Sequence, residues 1–227
     1  MSEKAIIFDS GTLISFSMNG LIDLIEKLKS VFKGKFLITE QVKKEIIDKP
    51  LTIKRFELEA LKIKQLLDKK ILELPPSMGI EDNELAKKTQ EYLDLANSAF
   101  TGQKGGIHLI EIGEASALAL SNMLITKKIP NIIAIDERTT RSLVENPQSL
   151  QKFLERKLHT KLKFNANKQN IFKGIQFIRS TELAYVAYKK GLVDIKDNQI
   201  LDALLYALKF KGCAISGDEI EEIKRIK

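Results

Sequence analysis

Short apolar segments that end in an acid alternate with amphipathic segments along this chain, and this alternation restricts its fold more than any other feature. Residues 6–8 run directly into Asp9, and residues 132–135 run directly into Asp136. Strands that are apolar throughout are typical of parallel sheets, which helices cover on both faces. Further strand-like segments lie at 36–38, 174–178 and 213–215. The sequence therefore predicts an α/β fold with a parallel sheet covered on both faces.

Helix signals fill the spaces between these strands. Thr39 is a good N-cap for a helix over residues 40–47, which Pro50 ends. Residues 52–70 and 81–100 have apolar positions at helical spacing, and we predict that they pack as a helical pair. The glycine-rich residues 101–106 are interpreted as a flexible loop. Ser180 is expected to cap a helix that starts at residue 181.

Size and cysteine content narrow the class of protein. The chain has 227 residues, enough for one sizeable core, and we predict a single domain over residues 1–227. Cys213 is the only cysteine, which excludes an intramolecular disulfide and a cysteine-rich zinc ribbon. Its apolar neighbours favour an inert core thiol. No apolar segment is long enough for a membrane span, and no secretory signal is evident, so a cytoplasmic protein without membrane contact is expected.

Four acids carry the functional prediction. Asp9 and Asp136 follow strands, and ligand sites of open parallel sheets lie at the carboxyl ends of the strands. Glu114 opens a helix rich in small residues, and Glu45 lies in the helix after Thr39. Gathered carboxylates repel one another, and a bound Mg²⁺ or Mn²⁺ removes that cost. Such a site suits metal-assisted hydrolysis of a phosphodiester.

The order of these acids resembles that of the PIN-domain ribonucleases, which include VapC-type toxins and RNA-processing nucleases. The resemblance rests on the segments FDSGTLI (8–14), GEASAL (113–118) and IDER (135–138), with Glu45 between the first two. It implies a three-layer α/β/α sandwich and a divalent-metal-dependent endoribonuclease that hydrolyses RNA. Asp9, Glu114 and Asp136 would bind the metal, and Glu45 would be a further catalytic acid. Ser10 or Thr12 would orient Asp9, and Glu137 is a candidate for a late acidic position.

Two regions are longer than a compact toxin of this family needs. One is the helical elaboration at about residues 52–106, and the other is an insertion at about 148–173. The resemblance leaves an inhibitor protein or antitoxin, and a homodimer, open as partners beside RNA. Two other functions also stay open. One is a PIN-fold protein that binds RNA without cleaving it, and the other is a partner-binding protein organised by the helices of residues 52–100.

The positive charge of the chain is concentrated in one segment. The chain has 37 basic and 30 acidic residues, a net charge of +7. Residues 148–179 contain eight bases and one acid, so this segment accounts for the whole excess. Cations there could contact RNA phosphates, whereas the phenylalanines among them more often belong to a core. The predicted RNA-binding residues are Lys152, Arg156, Lys157, Lys161, Lys163, Lys168 and Lys173.

Overall fold

A parallel sheet forms the centre of the molecule. The computed structural model describes residues 3–103 and 105–226, apart from the side chains of residues 167–169. The strands of the central sheet are β1 (Ala5–Phe8), β2 (Lys35–Leu37), β3 (Leu72–Glu73), β6 (Asn131–Ala134) and β8 (Phe177–Ile178). They lie in the order β3-β2-β1-β6-β8, and each pair of neighbours is parallel. The predicted α/β fold is confirmed.

Alternating side chains of β1 separate two cores. Ile6 and Phe8 pack into one core, while Ala5 and Ile7 pack into the other. Because successive residues of a strand point to opposite faces, the two cores lie on opposite sides of the sheet. The first core is covered by α1 (Ser10–Met18), α2 (Ile22–Val31), α3 (Glu40–Lys43), α4 (Glu57–Asp68) and α9 (Ser180–Lys189).

The second core is covered by α5 (Asp82–Asn97), α6 (Ile112–Thr126), α7 (Arg138–Glu145) and α8 (Pro147–Leu158). The molecule is thus a three-layer α/β/α sandwich, as the resemblance implies. Helices α10 (Ile200–Phe210) and α11 (Gly217–Arg225) pack with α9 around a smaller third core. In the described residues, no helix is both long and apolar enough to cross a membrane.

The two helices of the elaboration do not form the expected pair. α4 buries Ile63 and Leu66 in the first core, whereas α5 buries Leu85 and Tyr92 in the second. β3 lies between them in the chain and carries the backbone through the edge of the sheet. An apolar stripe predicts that one face of a helix is buried, but it does not predict which side of the sheet that face packs against.

A second, antiparallel sheet replaces the expected flexible loop. β4 (Phe100–Gly102) pairs with both β5 (Gly105–Gly106) and β7 (Lys163–Phe164). The insertion is also tied to the second core, because the Tyr92 hydroxyl donates to the Ile171 carbonyl at 2.8 Å. Residues 148–173 are therefore joined to the body of the fold.

Two local predictions at the end of the chain need correction. Ser180 is the first residue of α9, and Arg179 occupies the N-cap position. Residues 213–215 are not part of a strand, although the Ala214 N–H donates to the Asp136 carbonyl at 3.1 Å. Cys213 is buried, as expected, and burial raises the pKa of its thiol to about 11. A thiol with so high a pKa is a poor nucleophile near neutral pH.

Candidate active site

Asp9 joins the end of β1 to the start of α1. It is the N-cap of α1, and its Oδ2 accepts a hydrogen bond from the Gly11 N–H at 3.1 Å. Only 4% of the residue is exposed, and its Oδ1 has no hydrogen-bond partner among the described residues. The backbone of α1, rather than the hydroxyl of Ser10 or Thr12, thus orients this carboxylate.

Asp136 lies beside Asp9 because β1 and β6 are adjacent and in register. Phe8 pairs with Ala134, and the Asp9 N–H donates to the Ala134 carbonyl at 2.9 Å. Asp136 is 2% exposed, and its Oδ1 accepts from the Ser180 N–H at the start of α9 at 2.7 Å. Its Oδ2, like the Asp9 Oδ1, is buried without a partner in the described part of the chain.

Glu114 approaches from the first turn of α6. Its Oε2 accepts a hydrogen bond from the Glu111 N–H at 2.5 Å, so the side chain closes the start of its own helix. Glu111 and Glu114 both line a small cavity, and Glu111 was not predicted as a site residue. The sequence signal for this contact is a pair of glutamates three residues apart at the start of a helix, where each side chain can accept a hydrogen bond from the backbone N–H of the other residue.

Glu45 reaches the site from a π-helical turn, Lys44–Asp48, that continues α3. The Lys49 N–H donates to the Lys44 carbonyl at 3.0 Å, which marks the extra residue of this turn. Gly113 makes room for the carboxylate: a Cβ added there would lie 2.7 Å from Oε1 and 2.8 Å from Oε2. Glu45 therefore lies directly against the first turn of α6.

Three of the four predicted acids line a small cavity of about 230 Å³. Its lining consists of Asp9, Ser10, Glu45, Glu111, Ile112, Gly113 and Glu114. Asp136 does not line this cavity, but its charge acts on Asp9. The structure thus brings the four predicted acids to one end of the sheet. Glu137 lies beside them as the N-cap of α7, where its Oε2 accepts from the Thr140 N–H at 2.7 Å.

Burial makes several of these carboxylates easier to protonate. It raises the pKa of Asp9 to about 7, and repulsion by Glu45 and Asp136 adds to this effect. Burial also raises the pKa of Glu114 to about 8, with further repulsion by Asp9, Glu137 and Glu45. Burial also raises the pKa of Glu45, while a hydrogen bond from the Ser10 side chain opposes this shift. Buried acids with shifted pKa values are typical of functional sites.

The carboxylate oxygens of this site suit a hard divalent cation, but in their present positions too few of them converge to bind one. The two unpartnered oxygens, Asp9 Oδ1 and Asp136 Oδ2, are the ligand type that Mg²⁺ and Mn²⁺ prefer. Within residues 3–103 and 105–226, no three Asp, Glu, His or Cys side chains form a group that could hold a metal ion. Glu45 and Glu114 line the adjoining cavity as further oxygen donors, but Glu114 is held by the Glu111 N–H.

The basic segment presents most of its charge to solvent. Exposed cations are Lys152, Arg156, Lys157, Lys161, Lys163 and Lys173, while the side chain of Lys168 lies outside the described residues. Lys152, Arg156 and Lys161 line a surface depression of about 600 Å³. Arg179 differs, because it is buried and binds Glu182 and Glu219, each at 2.6 Å. It ties α9 to α11, and these two carboxylates neutralise its charge within the fold.

The phenylalanines of this segment divide between core and surface. Phe172 is buried and packs edge-on against Tyr92, with ring centroids 5.7 Å apart. Phe164 packs against Phe100, whereas Phe153 is exposed. The segment thus offers charge more than stacking surface.

Comparison with protein-family models, with curated proteins and with solved structures returned no match for this chain. The geometry of the four acids and the distribution of charge are therefore the features that bear on function.

Proposed function

We propose that this chain is a PIN-like, divalent-metal-dependent endoribonuclease. The observation that supports the proposal is the pair of buried, unpartnered oxygens of Asp9 and Asp136 at the ends of adjacent strands. An unpaired buried acceptor is costly, so a site that retains two of them at the ends of adjacent strands is suited to a ligand that binds both. A cation is the ligand that also relieves the repulsion between the two carboxylates.

The residues would divide the work as follows. Asp9 and Asp136 would hold the cation, and Glu114 would complete the set after releasing the Glu111 N–H. A bound divalent cation supplies a water of lowered pKa and stabilises the leaving oxygen. Glu45, which lines the cavity and has a raised pKa, is placed to accept a proton on its carboxylate. The basic segment of residues 148–173 would attract the RNA backbone.

A non-catalytic RNA-binding protein of the same fold is the second candidate. Glu114 is engaged with the backbone in the structure, and the described side chains form no three-ligand group. This arrangement favours a site that has kept its carboxylates without turnover. The two candidates share RNA binding and differ in metal-dependent cleavage.

Cleavage of end-labelled single-stranded RNA tests the proposal. We expect cleavage with Mn²⁺, none with excess EDTA, and a loss of at least about 100-fold in the Asp9→Asn/Asp136→Asn double variant. Asp68→Asn is the matched control, because Asp68 is an exposed acid at the end of α4. Without RNA, Mn²⁺ should raise the melting temperature of the wild type and the control but not of the double variant.

Equal cleavage by the double variant and the wild type would exclude this site as the catalytic centre. RNA binding that weakens with salt, without cleavage at any Mn²⁺ concentration, would support the second candidate.

A further inference from the structure

An apolar groove of about 480 Å³ lies between α1, the π-helical turn and α4. Four of the large exposed apolar side chains of the chain line it: Ile14, Met18, Ile53 and Phe56. Phe56, the N-cap of α4, is 44% exposed, so much of its ring is accessible from the groove. The volume is in the range of pockets that enclose small organic ligands.

Glu45 connects this groove to the carboxylate cavity. It lines the cavity together with Asp9 and Glu114, and it also lines the groove together with Phe56. A ligand in the groove is therefore next to the acids that would carry out hydrolysis. A polymer with one unit at the acids would have a neighbouring unit within reach of the groove.

The groove also contains two cations that could contact a phosphate. Lys49 and Arg55 line it together with Glu45 and Glu59, and Lys49 attracts Glu45 and so opposes the rise in its pKa. In the described residues, neither cation has a carboxylate oxygen within 4.0 Å, so both keep room for a phosphate. The Arg55 guanidinium lies 5.3 Å from the centroid of the Phe56 ring. An apolar surface with an aromatic ring and cations beside it is the combination that proteins use for unpaired nucleotides, with the base against the ring and the phosphate at the cations.

We propose that the groove binds the unpaired base of a nucleotide next to the cleaved phosphate. This inference rests on the proposed function and specifies its substrate: single-stranded RNA with an accessible base at that position. Glu59 also lines the groove, and its carboxylate can accept a hydrogen bond from the amino group of adenine or cytosine. An adenine oligomer is therefore the probe. A partner helix would need neither the cations nor the shared Glu45.

The absence of tryptophan from the sequence allows a direct test. The variant Phe56→Trp has a single tryptophan in the groove, and a base stacked on it would quench its fluorescence. Leu58→Trp is the matched control, because Leu58 is on the same helix, is 60% exposed and does not line the groove. The probes are an adenine oligoribonucleotide and an abasic oligomer with the same number of phosphates, both added in EDTA to prevent cleavage.

We expect the adenine oligomer to quench the tryptophan at position 56 and the abasic oligomer to leave it unchanged. Neither should quench the tryptophan at position 58. Phe56→Ala should weaken binding of the adenine oligomer by about tenfold, within the range for loss of one stacking platform, and binding of the abasic oligomer by less than about twofold. Leu58→Ala should leave both affinities unchanged.

Other results would overturn the proposal. If the adenine oligomer binds by fluorescence anisotropy while the tryptophan at position 56 stays unquenched, the base lies elsewhere. If neither oligomer binds, the groove is not a nucleotide site. If the emission at position 56 shifts to the blue with rising protein concentration in the absence of RNA, a second copy covers the groove instead.

The same samples with Mn²⁺ separate this inference from the proposed function. Cleavage without quenching at position 56 would leave the nuclease proposal intact and reject the base pocket. Quenching by the adenine oligomer without cleavage would keep the pocket and reject the nuclease, leaving an RNA-binding protein.

Discussion

At the scale of single residues, the notable property of the site is that its acids are held where their charge is unfavourable. Asp9 and Glu114 have pKa values of about 7 and 8, mainly because they are buried. Near neutral pH, a proton on one of them and a cation between them are alternative ways to reduce the repulsion. Occupation of the site and protonation should therefore compete.

The raised pKa values predict that the metal-free protein is more stable at pH 5 than at pH 8. In the unfolded chain Asp9 and Glu114 ionise near pH 4, whereas in the folded chain they keep their protons to about pH 7 and 8. Between about pH 4 and pH 8 the folded chain therefore binds more protons than the unfolded chain. The contribution of these two groups to the free energy of unfolding is fully present below about pH 4 and is lost as the pH rises to 8. In EDTA, we expect a lower melting temperature at pH 8 than at pH 5.

Asp9→Asn should weaken this pH dependence, because the amide is neutral at every pH. At pH 8 it should raise the melting temperature of the metal-free protein by roughly 5 °C, which corresponds to about 2 kcal/mol in a chain of this size. Asp68→Asn serves again as the control with an unchanged profile. A decrease on replacing Asp9 at pH 8 would show that the charged carboxylate stabilises the fold.

At the scale of elements, the sequence predicted the features that depend on a repeated pattern. The buried strands, the Thr39 cap and the acids after β1 and β6 follow from hydrophobic runs and capping chemistry, and the structure contains each. α1 was missed because Asp9, Ser10 and Gly11 resemble a turn and because the helix buries residues around much of its circumference.

Two further elements lack a local signal. β5 consists of two glycines, and β7 pairs with β4 from about sixty residues away, so no segment alone predicts that sheet. The π-helical turn that directs Glu45 to the site has no residue pattern that distinguishes it from an α-helix. Pairing and side-chain direction over such distances depend on tertiary packing.

Gly113→Ala tests whether the contact between α6 and Glu45 matters. The new methyl group would meet the mobile end of the Glu45 side chain rather than backbone, so the carboxylate can move away at little cost. Alanine also favours a helix over glycine by up to about 1 kcal/mol. We expect an unchanged or slightly higher melting temperature together with a loss of RNA cleavage similar to that of Glu45→Gln. Full activity in Gly113→Ala would show that catalysis does not need Glu45 in this position.

At the scale of the whole molecule, the charge is unevenly distributed. Outside residues 148–179 the basic and acidic residues cancel, so the net charge of +7 belongs to one segment. That segment is anchored to the rest of the fold through β7 and Phe172. Arg179 forms ion pairs with Glu182 and Glu219 and so adds no free positive charge to the surface. The cations that remain exposed are held on a fixed surface, which suits contacts with an RNA backbone at defined positions.

Charge reversal on this surface should reduce RNA affinity and its dependence on salt. In Lys152→Glu/Arg156→Glu, the slope of log affinity against log salt for single-stranded RNA should fall by about 1.4, because each lost phosphate contact contributes about 0.7. The control is Lys87→Glu/Lys190→Glu, which changes the net charge equally at exposed lysines elsewhere. Binding titrations from 50 to 300 mM KCl, in EDTA, measure both.

The rise in melting temperature on adding Mn²⁺ should be the same in both double variants, because neither alters the carboxylates. If the slope of log affinity against log salt falls equally in the two double variants, RNA affinity depends on the net charge of the protein and not on the position of the cations. A smaller slope in Lys152→Glu/Arg156→Glu alone would assign the phosphate contacts to α8. The position of α8, which directly follows α7 and its N-cap Glu137, would then extend the RNA path from the carboxylates along the second face of the sheet.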